Sequence, residues 1–219
     1  MQLAIFGAGG LGREFLELAE IINGRGQRWD SFVFIDDNTP LKAVQGIPVY
    51  RFEDMFADGR VEETEYIIAV GEPVVRKKIY ERLLENGCSV ATIVHPDVHI
   101  PVTTTLGQGT VVCYGCFVSC NVTIKENVVL QPQCNIGHDD VIGAHSVISG
   151  FVNMGGACTI GEASYIGLSA CVRELTEIGT RSIVGMGAVV MRNVEEEALV
   201  AGNPARKMLS NTDQRVFHH

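Results

Sequence analysis

Met154-Gly155-Gly156-Ala157-Cys158-Thr159-Ile160-Gly161-Glu162-Ala163-Ser164-Tyr165-Ile166-Gly167 places an apolar residue at every sixth position and a glycine directly after each one. Extended in both directions, the register runs Ile100, Leu106, Val112, Val118, Ile124, Leu130, Ile136, Ile142, Ile148, Met154, Ile160, Ile166, Val172, Ile178, Val184 and Val190 without a gap. The next position is glycine at Gly107, Gly137, Gly143, Gly155, Gly161, Gly167, Gly179 and Gly185. The position two before the apolar residue is small, as at Thr110, Cys116, Cys134, Ser146, Cys158, Ser164, Ala170, Ser182 and Ala188. A short parallel strand that ends at a corner explains all three features, with the aliphatic side chain pointing into a narrow triangular core and only a small neighbour fitting beside it. Three such hexads close one coil, so the repeat predicts a parallel solenoid of roughly five coils, each burying its face against the next.

The first 95 residues follow a different rule. Leu3-Ala4-Ile5-Phe6 reads as a buried strand, and Phe15, Leu18, Ala19 and Ile22 carry the spacing of a helix with one apolar face. Phe32 to Asp37 and Tyr66 to Gly71 read as further strands, Val75, Ile79 and Leu83 mark a second helix, and Ser89 to Val94 a closing strand. This alternation predicts a small parallel α/β sheet of Rossmann type. His95-Pro96 is the boundary, because the residue before proline resists helix. The expected division is residues 1–95 for the α/β domain, 96–209 for the solenoid and 210–219 for a tail.

Composition narrows the function. With 46% hydrophobic and 20% charged residues the chain is ordinarily globular, and its 24 glycines suggest many tight turns. A net charge of −9 argues against a nucleic-acid partner, which requires a basic face. Neither a signal peptide nor a membrane span is read from the sequence, and seven cysteines, an odd number, favour reduced thiols and a cytoplasmic location. Cys113, Cys116 and Cys120 are close in sequence, but Cys116, Cys134 and Cys158 fall at the small inward slot, so no metal site is expected.

Two motifs carry chemistry. Gly7-Ala8-Gly9-Gly10-Leu11-Gly12 joins a strand to a helix, where backbone N–H groups and the helix N-terminus can hold a phosphate. Asp36-Asp37 supplies the acidic pair after the second strand. Half of a dinucleotide fold suits a mononucleotide or nucleotide-sugar; the alternative is that these glycines only permit close helix–strand packing. In the solenoid, His138 beside Asp139 can act as a general base, the carboxylate fixing the tautomer of the imidazole and raising its basicity.

Together, Phe6 to Gly10, Phe34 to Asp37, Ile68 to Gly71, Arg76 to Tyr80, Val94 to Pro96, Gly137-His138-Asp139 and Ala201 to Arg206 resemble the sugar O/N-acetyltransferase family of hexapeptide-repeat enzymes, whose members acetylate sialic acid or make diacetamido-bacillosamine and N-acetyl-perosamine. The resemblance covers nearly the whole chain. It implies a left-handed β-helix, a homotrimer, and acetyl-CoA as co-substrate in the groove between neighbouring solenoids. A nucleotide-sugar would sit on Gly9, Gly10, Leu11, Asp36, Asp37 and Gly71. His138 would be the base and Asp139 its orienting acid. Gly156 would supply the oxyanion N–H, Leu168 and Met186 would line the pantetheine path, and Arg206 would reach the phosphates of CoA.

The chain departs from the family pattern in three places. Val147 stands where a second histidine is common, Glu72-Pro73 where asparagine often follows the third-strand glycine, and Asp140 occupies a normally small inward slot. The leading reading is N-acetylation of a nucleotide-linked amino sugar. Alternatives are O-acetylation of sialic acid or a related sugar, and a non-catalytic nucleotide-sugar scaffold. A γ-type carbonic anhydrase is disfavoured, because apart from His138 and His145 the solenoid has only His99.

Overall fold

A computed structural model describes residues 1–57 and 61–217. The N-terminal sheet has six strands: β1 (Gln2–Phe6), β2 (Ser31–Ile35), β3 (Ala43–Val44), β4 (Ile47–Tyr50), β5 (Thr64–Ile68) and β6 (Ser89–Val90), in the order β3-β4-β2-β1-β5-β6. All neighbours are parallel except the β3–β4 hairpin. Helices α1 (Gly10–Arg25), α2 (Asp54–Ala57) and α3 (Pro73–Glu85) complete this part of the chain.

Period-two alternation divides the strands between two cores. Leu3, Ile5, Phe34 and Ile67 pack with Phe15, Leu18 and Ala19 of α1, while Ala4, Phe6, Val33, Ile35 and Ile68 pack with Tyr80 and Leu83 of α3. The first core also contains Val111, Cys113 and Val129 of the solenoid, so the two parts share apolar packing. The inward face of α3 differs from the sequence expectation, since Val75 is exposed and Arg76 is buried in its place.

The repeat forms a left-handed parallel β-helix with three faces. Face one comprises Ile93–Val94, Val111–Val112, Val129–Leu130, Val147–Ile148, Tyr165–Ile166 and Ile183–Val184, closed by Ala198–Ala201 and the antiparallel Arg206–Ser210. Face two contains Phe117–Val118, Asn135–Ile136, Asn153–Met154, Cys171–Val172 and Val189–Val190. Face three contains Thr105–Leu106, Thr123–Ile124, Val141–Ile142, Thr159–Ile160 and Glu177–Ile178. The closing strand expected over Ser89–Val94 is divided: β6 belongs to the α/β sheet, whereas Ile93–Val94 pairs with Val111–Val112 and already belongs to the solenoid. The last two positions of the expected tail lie outside the described residues.

The glycines do a different job from the tight turns suggested by composition. The left-handed residue of each corner is usually not glycine: Asn121, Asn127, Gln133, Asp139, His145, Phe151, Ala157, Ala163, Ser169, Leu175 and Arg181 all have φ between 52 and 63°. The glycine after each core residue sits two positions earlier. A Cβ on Gly137 would lie 2.5 Å from the Gly155 oxygen, and one on Gly143 2.6 Å from Glu162 N. These glycines therefore let one coil's backbone lie directly on the next.

Candidate active site

Face two ends in a corner that holds Cys120, His138, Gly156 and Glu174 at equivalent positions of successive coils. His138 stands at the centre of this stack. Its Nδ1 lies 2.7 Å from Asp139 Oδ2, and Asn121 Nδ2 donates to the other oxygen, Asp139 Oδ1, at 3.0 Å. The hydrogen bond from His138, followed by that from Asn121, holds the Asp139 carboxyl below the usual carboxylate range. Asp139 is thus an anion at neutral pH, which makes Nδ1 the protonated nitrogen and leaves Nε2 with its lone pair. The Nε2 edge lies over Gly156, where a Cβ would be 2.5 Å from both His138 Cε1 and Nε2. Gly156 N–H makes no hydrogen bond among the described residues. A base and an unspent backbone donor therefore share one corner.

Asp140, the third member of the His138-Asp139-Asp140 run, points inward. It is fully buried, and burial pushes its carboxyl up to about 7 against the lowering effect of hydrogen bonds from Cys158 N and Gly137 N. Cys158 N donates to Oδ1 at 2.7 Å, while Oδ2 has no partner among the described residues. Asp140 thus keeps the inward slot of the repeat, neither pairing with His138 nor reaching solvent at the corner.

The remaining expected ligands lie elsewhere on the same chain. Leu168 and Met186 are exposed on the corner that follows face one, and Arg206 is exposed at the start of the final hairpin strand, its guanidinium donating to Ala205 O. A cavity of about 660 Å3 opens beside that corner, lined by Glu14, Leu18 and Ile21 of α1 and by Tyr114, Phe151 and Leu168. Face two separates this cavity from His138. One chain therefore joins His138, Asp139 and Gly156 but does not bring Leu168, Met186 or Arg206 to them. Val147 is buried in face one and unavailable to a ligand.

At the glycine loop, Gly9 is the N-cap of α1 and supplies no side-chain cap. A Cβ on Gly9 would meet nothing within 4 Å, and one on Gly10 would meet only the Arg13 guanidinium, at 4.0 Å. The space above these residues and Leu11 is open to a phosphate. Gly12 has the packing role, since a Cβ there would collide with the Gly7 carbonyl. The acidic pair is largely occupied by its own chain. Asp36 accepts from Ala8 N at 3.1 Å, Asn38 N at 2.9 Å and Thr39 N at 3.2 Å, fixing the glycine loop. Asp37 accepts from Phe52 N and Arg82, at 2.9 and 2.8 Å. Glu72, which could have repelled a phosphate, accepts from Val216 N and Phe217 N, and the Phe217 ring comes against Gly71.

Sequence reasoning missed Arg76 and Asn127 as a pair. The Arg76 guanidinium is buried and donates to Asn127 O and Oδ1, Ile68 O and Val70 O, while Asn127 Nδ2 returns a bond to Arg76 O. Asn127 Nδ2 also lies 2.9 Å from His145 Nδ1. His145 is thereby engaged at a corner different from that of His138, so the two histidines do not converge. The available signal was an arginine where the helical pattern called for an apolar residue.

Residues 2–83 match the family model described as the PglD N-terminal domain. The acetyltransferase domain of PglB from Neisseria gonorrhoeae FA1090, in complex with acetyl coenzyme A, superposes with a TM-score of 0.86 at 31% identity, covering 94% of this chain and 98% of that one. The chain belongs to the sugar N-acetyltransferase family. This acetyltransferase is also 29% identical to a GDP-perosamine N-acetyltransferase of Escherichia coli O157:H7 over 211 residues, 93% of this chain and 95% of its relative. WeeI from Acinetobacter baumannii AYE shares its fold with a TM-score of 0.87 at 26% identity, covering 95% of this chain and all of WeeI.

Proposed function

We propose that this acetyltransferase moves the acetyl group of acetyl-CoA onto the amino group of a nucleotide-linked amino sugar, with His138 as general base. The observation that carries this reading is the pairing of a tautomer-fixed imidazole with the free Gly156 N–H on one corner. The neutral amine of the sugar attacks the thioester carbonyl carbon, forming the C–N bond as its proton passes to His138 Nε2. Oxygen charge in the tetrahedral intermediate is received by Gly156 N–H, a donor whose direction is set before reaction begins. Collapse breaks the C–S bond, and the imidazolium returns the proton to the departing thiolate. Asp139 stabilises that imidazolium without taking its proton.

The absence of a side chain at Gly156 lets the imidazole lie directly against its backbone, which puts Nε2 beside the free N–H. The open glycine loop over α1 suits the phosphates of the sugar nucleotide, and the similar acetyltransferases named for GDP-perosamine support this class of acceptor. Asp36 acts through the loop it fixes, and Asp37 contributes through its contact with Phe52 rather than as a free ligand.

A homotrimer completes the site in this reading. The cavity beside Leu168 takes Glu14, Leu18 and Ile21 of α1, the helix that the glycine loop begins, whereas His138 occupies another corner; in this reading the sugar held by one chain meets the base of its neighbour. Exposed Phe117, Phe151, Leu175 and Met186 on and beside face two are suited to burial between copies. Met186, Leu168 and Arg206 then lie along the CoA path across the same interface. All seven cysteines are free thiols, which supports a cytoplasmic, reducing setting.

Mass spectrometry of reactions containing acetyl-CoA and a panel of UDP-, GDP- and CMP-linked amino sugars, with free sialic acid as the O-acetyl control, tests the assignment. An acetyl adduct on one amino sugar is expected. Acetylation of sialic acid alone would replace the amine by a hydroxyl acceptor, and no turnover across the panel would leave the scaffold reading.

A further inference from the structure

Every coil of the solenoid places a small residue in the inward slot two positions before its core residue, and these slots obey a hydrogen-bond rule. A slot hydroxyl or thiol donates to the carbonyl fifteen residues ahead, on the next coil. Thr110 donates to Lys125 O, Ser146 to Gly161 O, Ser164 to Gly179 O, Cys116 to Gln131 O, Cys134 to Ser149 O and Cys158 to Arg173 O, at 2.9 to 3.2 Å. Three of the oxygen slots also accept the N–H eighteen residues ahead: Thr104 from Val122 N, Ser146 from Ser164 N and Ser164 from Ser182 N. Thr176 and Ser182 depart from the rule at the end of the solenoid, where residues 191–194 leave the regular corner conformation: Thr176 Oγ1 has no partner among the described residues and Ser182 donates to Glu195 O, thirteen residues ahead.

Asp140 stands in such a slot. Its Oδ1 already satisfies the second half of the rule by accepting Cys158 N, eighteen residues ahead, at 2.7 Å. The first half directs its remaining oxygen to the carbonyl fifteen residues ahead, that of Gly155. Cys158 connects the two places: its N–H binds Asp140, and its Sγ lies 3.3 Å from the same Gly155 oxygen. Asp140 Oδ2 is buried without a partner among the described residues, and a carboxylate oxygen directed at a carbonyl by this rule has no proton to offer. A carboxylic acid has one.

The Gly155 carbonyl belongs to the peptide whose nitrogen is Gly156 N. We propose that Asp140 is a positioning residue for acetyl transfer: in its acid form it donates from Oδ2 to the Gly155 carbonyl, orienting and polarising the peptide that presents Gly156 N–H to the oxyanion. Hydrogen bonding at a carbonyl strengthens the N–H of the same peptide as a donor, since hydrogen bonds in a chain polarise one another. This role rests on Gly156 N–H being the oxyanion donor. Burial favours the acid form, with the carboxyl raised to about 7, so ionisation would remove the bond just above neutrality. The groups that act on Asp140 are His138 and Asp139 on its own corner and the backbone N–H groups of Cys158 and Gly137. His138 is therefore removed in the test, so that Asp140 is followed alone.

Glycine labelled with 13C at its carbonyl and with 15N allows a direct test on the full chain. Gly9-Gly10 and Gly155-Gly156 are its only Gly-Gly pairs, so a carbonyl-to-amide correlation spectrum contains one peak from the loop and one from the site. In a His138→Asn background, which silences the imidazole, the Gly155–Gly156 peak is expected to shift between pH 5 and 9, and this step should vanish when Asp140→Asn is added. A step that survives Asp140→Asn, or no step at all, overturns the proposal.

Turnover of acetyl-CoA with GDP-perosamine as acceptor probe supplies the second arm. Asp140→Ala is expected to lose about tenfold in kcat with little change in either KM, less than the hundred- to thousand-fold typical of deleting an oxyanion donor outright. Asp140→Asn, whose amide can both accept from Cys158 and donate to Gly155, should recover most of that loss and lack the fall in kcat that wild type shows above neutral pH. If the labelled peptide follows Asp140 but Asp140→Ala turns over at the wild-type rate, Gly156 is not the oxyanion donor. That failure overturns the underlying assignment, whereas an unresponsive peptide overturns the positioning bond alone.

Discussion

Arg76→Met should destabilise the fold severely, and the structure sets the scale. The guanidinium is inaccessible to solvent and makes five hydrogen bonds, at 2.7 to 3.1 Å, to four oxygens: Ile68 O, Val70 O, Asn127 O and Asn127 Oδ1. Methionine fills much of the same volume but donates nothing. Each buried acceptor left unsatisfied costs about 1–3 kcal/mol. Relaxation and entering water recover part of this, leaving a loss of about 4 kcal/mol, in the range found when one partner of a buried charged network is removed. For a chain of this length that corresponds to a fall in Tm of roughly 10 °C.

Burial depresses the Arg76 guanidinium to about 9, still above neutral pH, so the group is charged under assay conditions. Its folded value is depressed relative to the unfolded chain, so its contribution to stability should improve as pH rises toward and beyond 9. Calorimetry at fixed protomer concentration is the assay, because assembly would otherwise move Tm by mass action. Arg76→Lys should fall between wild type and Arg76→Met, since an ammonium has three donors and lacks the fork that reaches Ile68, Val70 and Asn127 together. An Arg76→Met protein melting within about 2 °C of wild type would refute the accounting, and with it the view that Arg76 and Asn127 latch α3 to the solenoid.

Replacing His138 with Asn should cost on the order of a hundred- to ten-thousand-fold in kcat while preserving acetyl-CoA affinity and Tm; full activity on the identified sugar would remove the assigned base. Asp139→Asn should cost less than His138→Asn, because it removes only the carboxylate that holds the Nδ1 tautomer of the imidazole; a loss as large as that of His138→Asn would deny a purely orienting role. Gly10→Val should raise KM for the sugar nucleotide without changing acetyl-CoA affinity, and with little effect on Tm, since a Cβ there meets only the far end of Arg13; equal loss of both ligands would reassign the loop. Asp140→Asn should raise Tm at pH 8: burial pushes the folded carboxyl up to about 7 from the 3.8 of an ordinary aspartate, about 4 kcal/mol of unfavourable ionisation that is present above pH 7 and disappears as pH falls toward 4. A gap in Tm independent of pH would contradict a buried titrating acid.

The solenoid was readable because its core obeys one short period. The register residues from Val112 to Val190 are buried, as are the small-slot residues. The α/β domain was readable at its central strands and helices, but not at its edge. Ala43–Val44 and Ile47–Tyr50 form a short, partly exposed hairpin without a clear apolar alternation, and α2 is only one turn. Glycine function was harder to read, because composition does not separate a residue needed for positive φ from one needed where two backbones touch. In the candidate site, the pairing of His138 with Asp139 was legible from their adjacency in the repeat. The roles of Asp36, Asp37 and Glu72 were not, since each is engaged by backbone N–H groups of its own chain, a contact that leaves no periodic trace.

The separation of His138 from Leu168 and Met186 follows from arithmetic on the coil. Strands pair with partners eighteen residues away, as Phe117 does with Asn135, so residues stack on one corner only when their numbers differ by a multiple of eighteen. His138 and Gly156 satisfy that condition, and so do Tyr114, Leu168 and Met186 among themselves. No member of one set satisfies it with a member of the other, which places the two sets on different corners. What the arithmetic could not supply is the corner beside which α1 lies, because that depends on the packing of Leu18 and Ile21 across domains. The cavity beside Leu168 fixes it. Helix α1, and with it the glycine loop at its N-terminus, therefore lies on the side of the Leu168 corner rather than that of His138, which is the ground for proposing that a second chain supplies the base.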